Sequence, residues 1–311
     1  MLGLSRRSLL GAAAGLAVVR PASAQLTQLP LSKIVPYRTF VGQTIQVRAF
    51  VGRNVALMLS TKRVPDVAIV LNIINAVDSA WDWYRDMFGR APTANNLYEG
   101  RSVIAENAQD PAAAARGRLG MTGIEMGPGS TDRLMIEAAQ DRYNQAVFYE
   151  LGRNFWFFED QLGAIKAAVV GGCFTTGFAT VNRFYSMEVK GIVGAPWDDR
   201  IDFDRLRWIS LIDTVDRYLA DPKLNWENTL GADKPAPNPY SWVGSYHLAA
   251  GFFHRIRRDH GFAGYRRFWQ IMPQAPKATT PREAAANFIR VARAATGQDY
   301  RDLFRDPSLP L

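Results

Sequence analysis

The chain of 311 residues has one cysteine, Cys173, and three histidines, His247, His254 and His260. A lone thiol excludes an intramolecular disulfide and any zinc site built on paired cysteines. His247 and His254 lie seven apart and can share a helix face, but the local sequence adds no further metal ligands. They read as partly buried or capping side chains. A glycine-rich phosphate loop with its lysine, a dinucleotide fingerprint, a nucleophile elbow and a His-x-Glu metal pair are all missing. No apolar run reaches the roughly 20 residues that span a bilayer. A dominant charge is missing too, since 37 Lys and Arg stand against 29 Asp and Glu. Basic clusters occur only at Arg255, Arg257 and Arg258 and at Arg266 and Arg267. These read as solvated helix faces, not as a nucleic-acid or lipid surface.

What is present is apolar and aromatic. The 48% apolar content, with 8 Trp, 11 Tyr and 17 Phe, excludes intrinsic disorder and calls for a packed core. The first residues read as an export signal, 1–24. Arg6 and Arg7 form a positive start, 9–19 is apolar but too short to cross a bilayer, and Ala22-Ser23-Ala24 fits a cleavage site. Ser5-Arg6-Arg7-Ser8-Leu9-Leu10 resembles a twin-arginine signal, with an ordinary secretory signal as the alternative. The mature chain is then expected in the periplasm or outside the cell, without stable membrane insertion. The residue directly after the cleavage site is Gln25 and not a cysteine, so no lipid anchor is expected. Removal of the signal takes three arginines and no acid, which lowers the net charge from +8 to +5.

Alternation at Ile45, Val47 and Ala49 predicts a strand over 44–50, and 54–60 predicts its hairpin partner across a turn at 51–53. Residues 25–43 read as an irregular lead-in. Val70, Ile74, Val77, Trp81, Tyr84 and Phe88 recur at helical spacing, so a long amphipathic helix is expected between an opening Pro65 and a closing Gly89. Short strands are expected at 101–106 and 121–126, with a loop over 109–120. From about residue 140 the pattern turns helical, with helices expected at 142–157, 173–188, 204–219, 241–259, 263–272 and 281–295. Strands and one helix followed by a helical half make an α+β protein.

The stretch with chemical content is Tyr149-Glu150-Leu151-Gly152-Arg153-Asn154. Tyr149 and Arg153 lie four apart, on one helix face, and Glu150 is three before Arg153. This is the spacing of His-Glu-x-x-His, in which two histidines bind zinc and the glutamate activates the bound water. Here both ligating side chains are replaced.

Residues 149–154 resemble the metal-binding helix of the zincin metallopeptidases, whose common form is His-Glu-x-Gly-His-Asn. Glu150, Gly152 and Asn154 match, and Tyr149 and Arg153 stand at the histidine positions. In the gluzincin branch a glutamate on a following helix, often within Asn-Glu-Gly-Phe-Ala, is the third ligand. This chain has Thr175-Thr176-Gly177-Phe178-Ala179, with Thr176 at that glutamate's position. The resemblance implies a zincin-like subdomain over 25–165, with a small sheet and the degenerate active-site helix, and a helical C-terminal subdomain over 166–311. It implies no metal and no cofactor for this chain. Tyr, Arg and Thr cannot replace imidazoles and a carboxylate as donors, and a guanidinium has no lone pair to give. Arg153 is instead expected where the zinc charge would be, paired with Glu150, with the Tyr149 hydroxyl closing the ring; a simple exposed Glu150–Arg153 pair is the competing expectation.

Three functions follow. The first is an exported, catalytically inactive relative of the gluzincin peptidases that binds a peptide, a glycan or an envelope protein. The second is an active peptidase- or glycosidase-type hydrolase using Glu150 as general acid/base, with Glu125, Glu159 or Asp160 as the second carboxylate. The third is a structural envelope protein. The run Phe155-Trp156-Phe157-Phe158 is expected in the core rather than in a ligand groove, and Tyr240-Ser241-Trp242 carries the same two readings. Cys173 is expected to be a buried structural thiol.

Overall fold

Period-two patterning forms the first layer of the protein, whose computed structural model describes residues 32–110, 114–167 and 172–310. The expected export signal, 1–24, lies outside the described residues. Strands β1 (Lys33–Arg38), β2 (Thr44–Val51) and β3 (Val55–Ser60) form an antiparallel meander. The hairpin expected at 44–60 is therefore present. β1 falls in the stretch read as an irregular lead-in. It carries Pro36, but it pairs only with β2 and so lies at the sheet edge, where a missing N–H is tolerated.

Helix α1 (Val67–Phe88) crosses over from β3. Asp66, not Pro65, starts it, accepting the Ala68 N–H at 2.8 Å, and Gly89 ends it with φ 73°. Five of its six expected apolar positions are buried, and Phe88 is partly buried against the same core. The helix is tied to the hairpin by Asp78, whose carboxylate accepts the N–H groups of Arg53, Asn54 and Val55 at 2.7–3.0 Å.

The chain then adds β4 (Leu97–Tyr98), β5 (Arg101–Glu106), β6 (Ala115–Gly117) and β7 (Ile124–Met126). β5 is parallel to β3, and β7 is parallel to β5. β6 is antiparallel to β7 at the far edge, giving the order β1-β2-β3-β5-β7-β6 with β4 beside β5. The expected loop over 109–120 thus contains a strand. Ala-Arg-Gly has little strand preference of its own, and backbone pairing to β7 sets it. The strand expected at 121–126 is shorter and begins at Ile124.

The sheet has two faces. Leu57, Leu59, Ile104, Ile124 and Met126 join the main core with α1 and the later helices. Val47, Ala49, Met58, Val103 and Ala105 pack with Tyr37 on the other side.

The helical half begins with α2 (Pro128–Ala138), which the sequence pattern did not reveal, then α3 (Gln145–Asn154) and the short α4 (Glu159–Leu162). α5 (Gly172–Val189) is buried along almost its whole length. The helix expected at 204–219 is α6 (Phe203–Trp208) and α7 (Thr214–Ala220), joined by a π-helical turn at Ile209–Asp213. The two helices expected at 241–259 and 263–272 merge into α8 (Ser245–Ile271), kinked at Gly261, where φ is 64°. α9 (Pro281–Thr296) has a Thr280/Glu283 capping box, and α10 (Arg301–Phe304) closes the fold. The protein is α+β. No helix among the described residues is long and apolar enough to cross a membrane.

α5 and α8 touch most closely at Gly177. A Cβ there would lie 2.7 Å from Ala249 Cβ and 2.8 Å from the Ala250 nitrogen. Gly177→Ala gains about 1 kcal/mol in helix propensity. It must also push two backbones apart, and overpacking costs about 1–3 kcal/mol. Net destabilisation is expected in urea unfolding, larger for Gly177→Val. A variant as stable as the parent would contradict the close approach.

Candidate functional site

α3 owes its position to three side-chain anchors. Asn144 caps it by accepting the Ala146 N–H at 2.8 Å. The Tyr84 hydroxyl on α1 donates to the Phe148 carbonyl at 3.1 Å. At the other end the Asn154 amide donates to the carbonyls of Arg118 and Gly123, at 2.9 and 3.1 Å. Gly152 allows α1 and α5 to close on α3, since a Cβ there would stand 2.9 Å from the Tyr84 hydroxyl and 3.0 Å from Ala179 Cα. Gly152 and Asn154, which match the zincin motif, thus have packing and anchoring duties here.

Glu150 points from α3 toward β6 and is 6% exposed. Its Oε2 accepts the Gly117 N–H at 2.5 Å and lies 3.4 Å from Arg153 Nε. Gly117 is a glycine for a reason: a Cβ there would lie 2.5 Å from the Glu150 carbonyl oxygen. Burial pushes the Glu150 carboxyl up to about 7, against the pull of Arg153 and the Gly117 N–H. The Arg153 side chain is 12% exposed, so this is not an open-solvent pair. Tyr149 is half-buried. Burial raises its phenol, while the side chains of Arg153 and Thr176 next to its hydroxyl favour the ionised form. Thr176 is buried on α5, facing α3. Tyr149 thus stands beside Arg153 and Thr176, and Arg153 in turn pairs with Glu150, whose carboxylate turns toward β6.

Zinc, the metal of the peptidases that this motif resembles, does not fit this set. Tyr149 is neutral, Thr176 is a weak hydroxyl donor, and Arg153 brings a fixed positive charge where a cation would sit. Among the described residues no group of three or more His, Cys, Asp and Glu is placed to hold a metal ion.

The second carboxylates weighed for a hydrolase lie elsewhere. Glu125 alternates with Ile124 and Met126 along β7, so it points to the opposite sheet face, where Tyr37, the Phe40 N–H and Asn107 bond it at 2.6–3.1 Å. Glu159 accepts the Trp156 indole N–H at 2.9 Å and meets Lys166 at 3.5 Å, and Asp160 pairs with Lys277 at 2.9 Å. Cys173 is buried, 3.0 Å from the Ser245 hydroxyl, and burial pushes its thiol up to about 12. Phe155, Trp156 and Phe158 are core residues, packed around Tyr84, Phe178 and Trp269.

A cavity of about 410 Å³ opens beside the cluster. Tyr149 and Thr176 form part of its wall, and Arg183, Trp197, Trp242, Tyr246 and His247 are among its other lining residues. Trp242 is thus a cavity residue, while Tyr240 backs it with ring centroids 5.6 Å apart. Sequence reading did not single out Arg183 or Trp197, whose places depend on α5 and on a loop after it. One signal was there: Arg183 is the lone Lys or Arg in the 18 residues of α5.

No family model matches the chain, and no curated protein is similar to it in sequence. Solved structures are similar in fold. A functionally unknown conserved protein from Bacillus anthracis aligns with a TM-score of 0.53 at 10% identity, over 85% of this chain and 48% of that one. ZmpB metallopeptidase from Clostridium perfringens aligns at 0.47 and 14% identity, over 88% and 48%. An M1 zinc metallopeptidase from Deinococcus radiodurans aligns at 0.43 and 14% identity, over 90% and 52%. The chain spans about half the length of each of these structures. Identities this low speak for fold alone, and of the three it is the Bacillus anthracis protein whose alignment is close enough to carry that likeness.

Proposed function

We propose that this is an exported zincin-like protein in which an ion-pair cluster has replaced the metal, and that it acts by binding a ligand in its cleft and not by hydrolysis. The observation that supports this reading is the buried Glu150–Arg153 contact at 3.4 Å, with Thr176 of α5 beside the neighbouring Tyr149 hydroxyl. A guanidinium in that position balances Glu150 and repels a divalent cation. Glu150 then has no metal-acidified water to deprotonate. A peptide, a glycan or an envelope protein would occupy the cleft, and 1–24 would direct the chain to the periplasm or beyond.

One observation favours a second reading, an active hydrolase. Burial brings Glu150 to about 7, a suitable value for a general acid or base near neutral pH. Such a mechanism would still need a second reacting group near Glu150, and Glu125, Glu159 and Asp160 are all engaged elsewhere.

Elemental analysis and a peptidase and glycosidase panel test the choice. The purified chain is expected to hold far less than one zinc per molecule and to show no turnover above that of Glu150→Gln. One tightly held zinc per chain would overturn the proposal. Turnover that disappears in Glu150→Gln would establish the hydrolase.

A further inference from the structure

The cavity beside the cluster holds a charge that the cluster does not use. Arg183 lies seven residues beyond Thr176 on α5 and is 8% exposed. Its guanidinium carbon is 4.6 Å from the ring centroid of Phe184 and 5.8 Å from that of Tyr149. Among the described residues no carboxylate comes within ion-pair distance of it, and its Nε has no hydrogen-bond partner. The groups that face it are the phenols of Tyr149, Tyr246 and Tyr84 and the imidazole of His247. Burial lowers the guanidinium only to about 10, so it stays charged at neutral pH.

A cation taken out of water without an anion is a standing cost to the fold. Such groups concentrate where a ligand supplies the opposite charge. Among the described residues no acidic side chain lines this cavity. The other arginine at its wall, Arg133, is already satisfied, by Glu137 at 2.7 Å and by the carbonyls of Pro196 and Trp197 at 2.9 and 3.0 Å. Arg183 is therefore the uncompensated charge of the cavity. Part of the remaining wall is aromatic, with Trp197 and Trp242 at a centroid distance of 5.7 Å and Tyr246 beside His247. His247 Nδ1 accepts the Gly244 N–H at 3.0 Å, which assigns the ring proton to Nε2 as a donor. The Thr180 hydroxyl adds another polar group.

We infer that this cavity binds a monocarboxylate carried on an aromatic or flat apolar body, with the carboxylate on Arg183 and the body among Trp197, Trp242 and Tyr246. One planar guanidinium matches one carboxylate in a two-bond fork. A phosphate monoester brings roughly −1.5 to −2 charges and would be left unbalanced. The inference rests on the reading of this cleft as a binding site and names its ligand class.

Calorimetry on the intact protein tests it with two acid/amide pairs. Phenylacetate against phenylacetamide represents a free small acid. N-acetyl-Ala-Ala-Phe against its C-terminal amide represents a peptide end. In at least one pair the acid is expected to bind about ten-fold or more tighter than the amide, and the pair that responds identifies the source. Arg183→Met is expected to abolish that preference while keeping the native circular dichroism, since it removes a buried charge and leaves none behind. Trp242→Ala is expected to weaken acid and amide alike. Equal binding of acid and amide, no binding of either acid at about 10 mM, or an acid preference that survives Arg183→Met would overturn the inference. The acid/amide comparison on the parent protein does not depend on any variant folding. A zinc-loaded, hydrolytic protein could still pass this test, and a metal-free protein could fail it, so the two proposals fall separately.

Discussion

Replacing Arg153 with leucine is expected to destabilise the protein, and by about 1.4 kcal/mol more at pH 8 than at pH 5. The cause is the carboxylate left behind. Glu150 is 6% exposed, and Arg153, 3.4 Å away, is the cation that compensates it. The Gly117 N–H that also serves Glu150 carries no full charge. Without Arg153, the folded protein must either bury an unpaired anion or keep Glu150 protonated. At pH 5 protonation is easy, because burial already holds this carboxyl near 7 with the arginine present. At pH 8 the proton has to be taken from a dilute pool, and the free energy of doing so appears as lost stability. Glu150→Leu combined with Arg153→Leu is expected to recover most of the loss, since apolar replacement of a whole buried pair is often neutral or better. Urea unfolding of both single variants and the double variant at the two pH values reads the coupling directly. If Arg153→Leu unfolds at the same urea concentration as the parent at pH 8, the buried pair does not stabilise this part of α3.

The parts of this arrangement differ in how readable they were. The α3 motif was visible because Tyr149, Glu150, Gly152, Arg153 and Asn154 are set by helical spacing, a property local to a few residues. α1 was visible for the same reason, with Gly89 marking its end. What escaped was supplied from a distance. Gly117 belongs to a three-residue strand, and nothing in Ala115-Arg116-Gly117 says strand until β7 lies beside it. The alternation that sends Glu125 to the far side of the sheet depends on the same pairing. The kink in α8 was half legible: Gly261 separates the two expected helices, but its φ of 64° lets the chain resume a helix almost at once. The cavity joins residues from α3, α5, α8 and the loop at 195–197, so its aromatic wall exists only in the folded chain.

Acid should expose the largest pH dependence of the fold, and its source is a pair of histidines that take no part in the ion-pair cluster. Burial, helped by Arg183, depresses His247 to about 3, although the Gly244 N–H it accepts works in the opposite direction. Burial and the nearby arginines 207, 257, 258 and 255 depress His254 to about 4. In the unfolded chain both imidazoles take up a proton near 6.5. Between 6.5 and about 4 the unfolded state therefore binds more protons, and stability is lost as the pH falls, by about 1.4 kcal/mol per pH unit for each histidine. Glu150 works in the other direction. Its folded value of about 7 lies above the ordinary 4.5, so the folded state holds the extra proton, and stability is gained as pH falls from 7 to 4.5. One histidine is thus offset over the upper part of the range. Glu150→Gln removes the offset, so the variant should lose stability on acidification about twice as steeply as the parent between pH 6.5 and 4.5. Asp78, also raised by burial, is unchanged between the two proteins and cancels in the comparison. The acids held low by their partners, Glu283, Asp299 and Asp306, titrate below this window. Urea midpoints at half-unit pH steps provide both slopes. Parallel curves for parent and Glu150→Gln would show that Glu150 ionises normally, and the account of a desolvated carboxylate beside Arg153 would have to be abandoned.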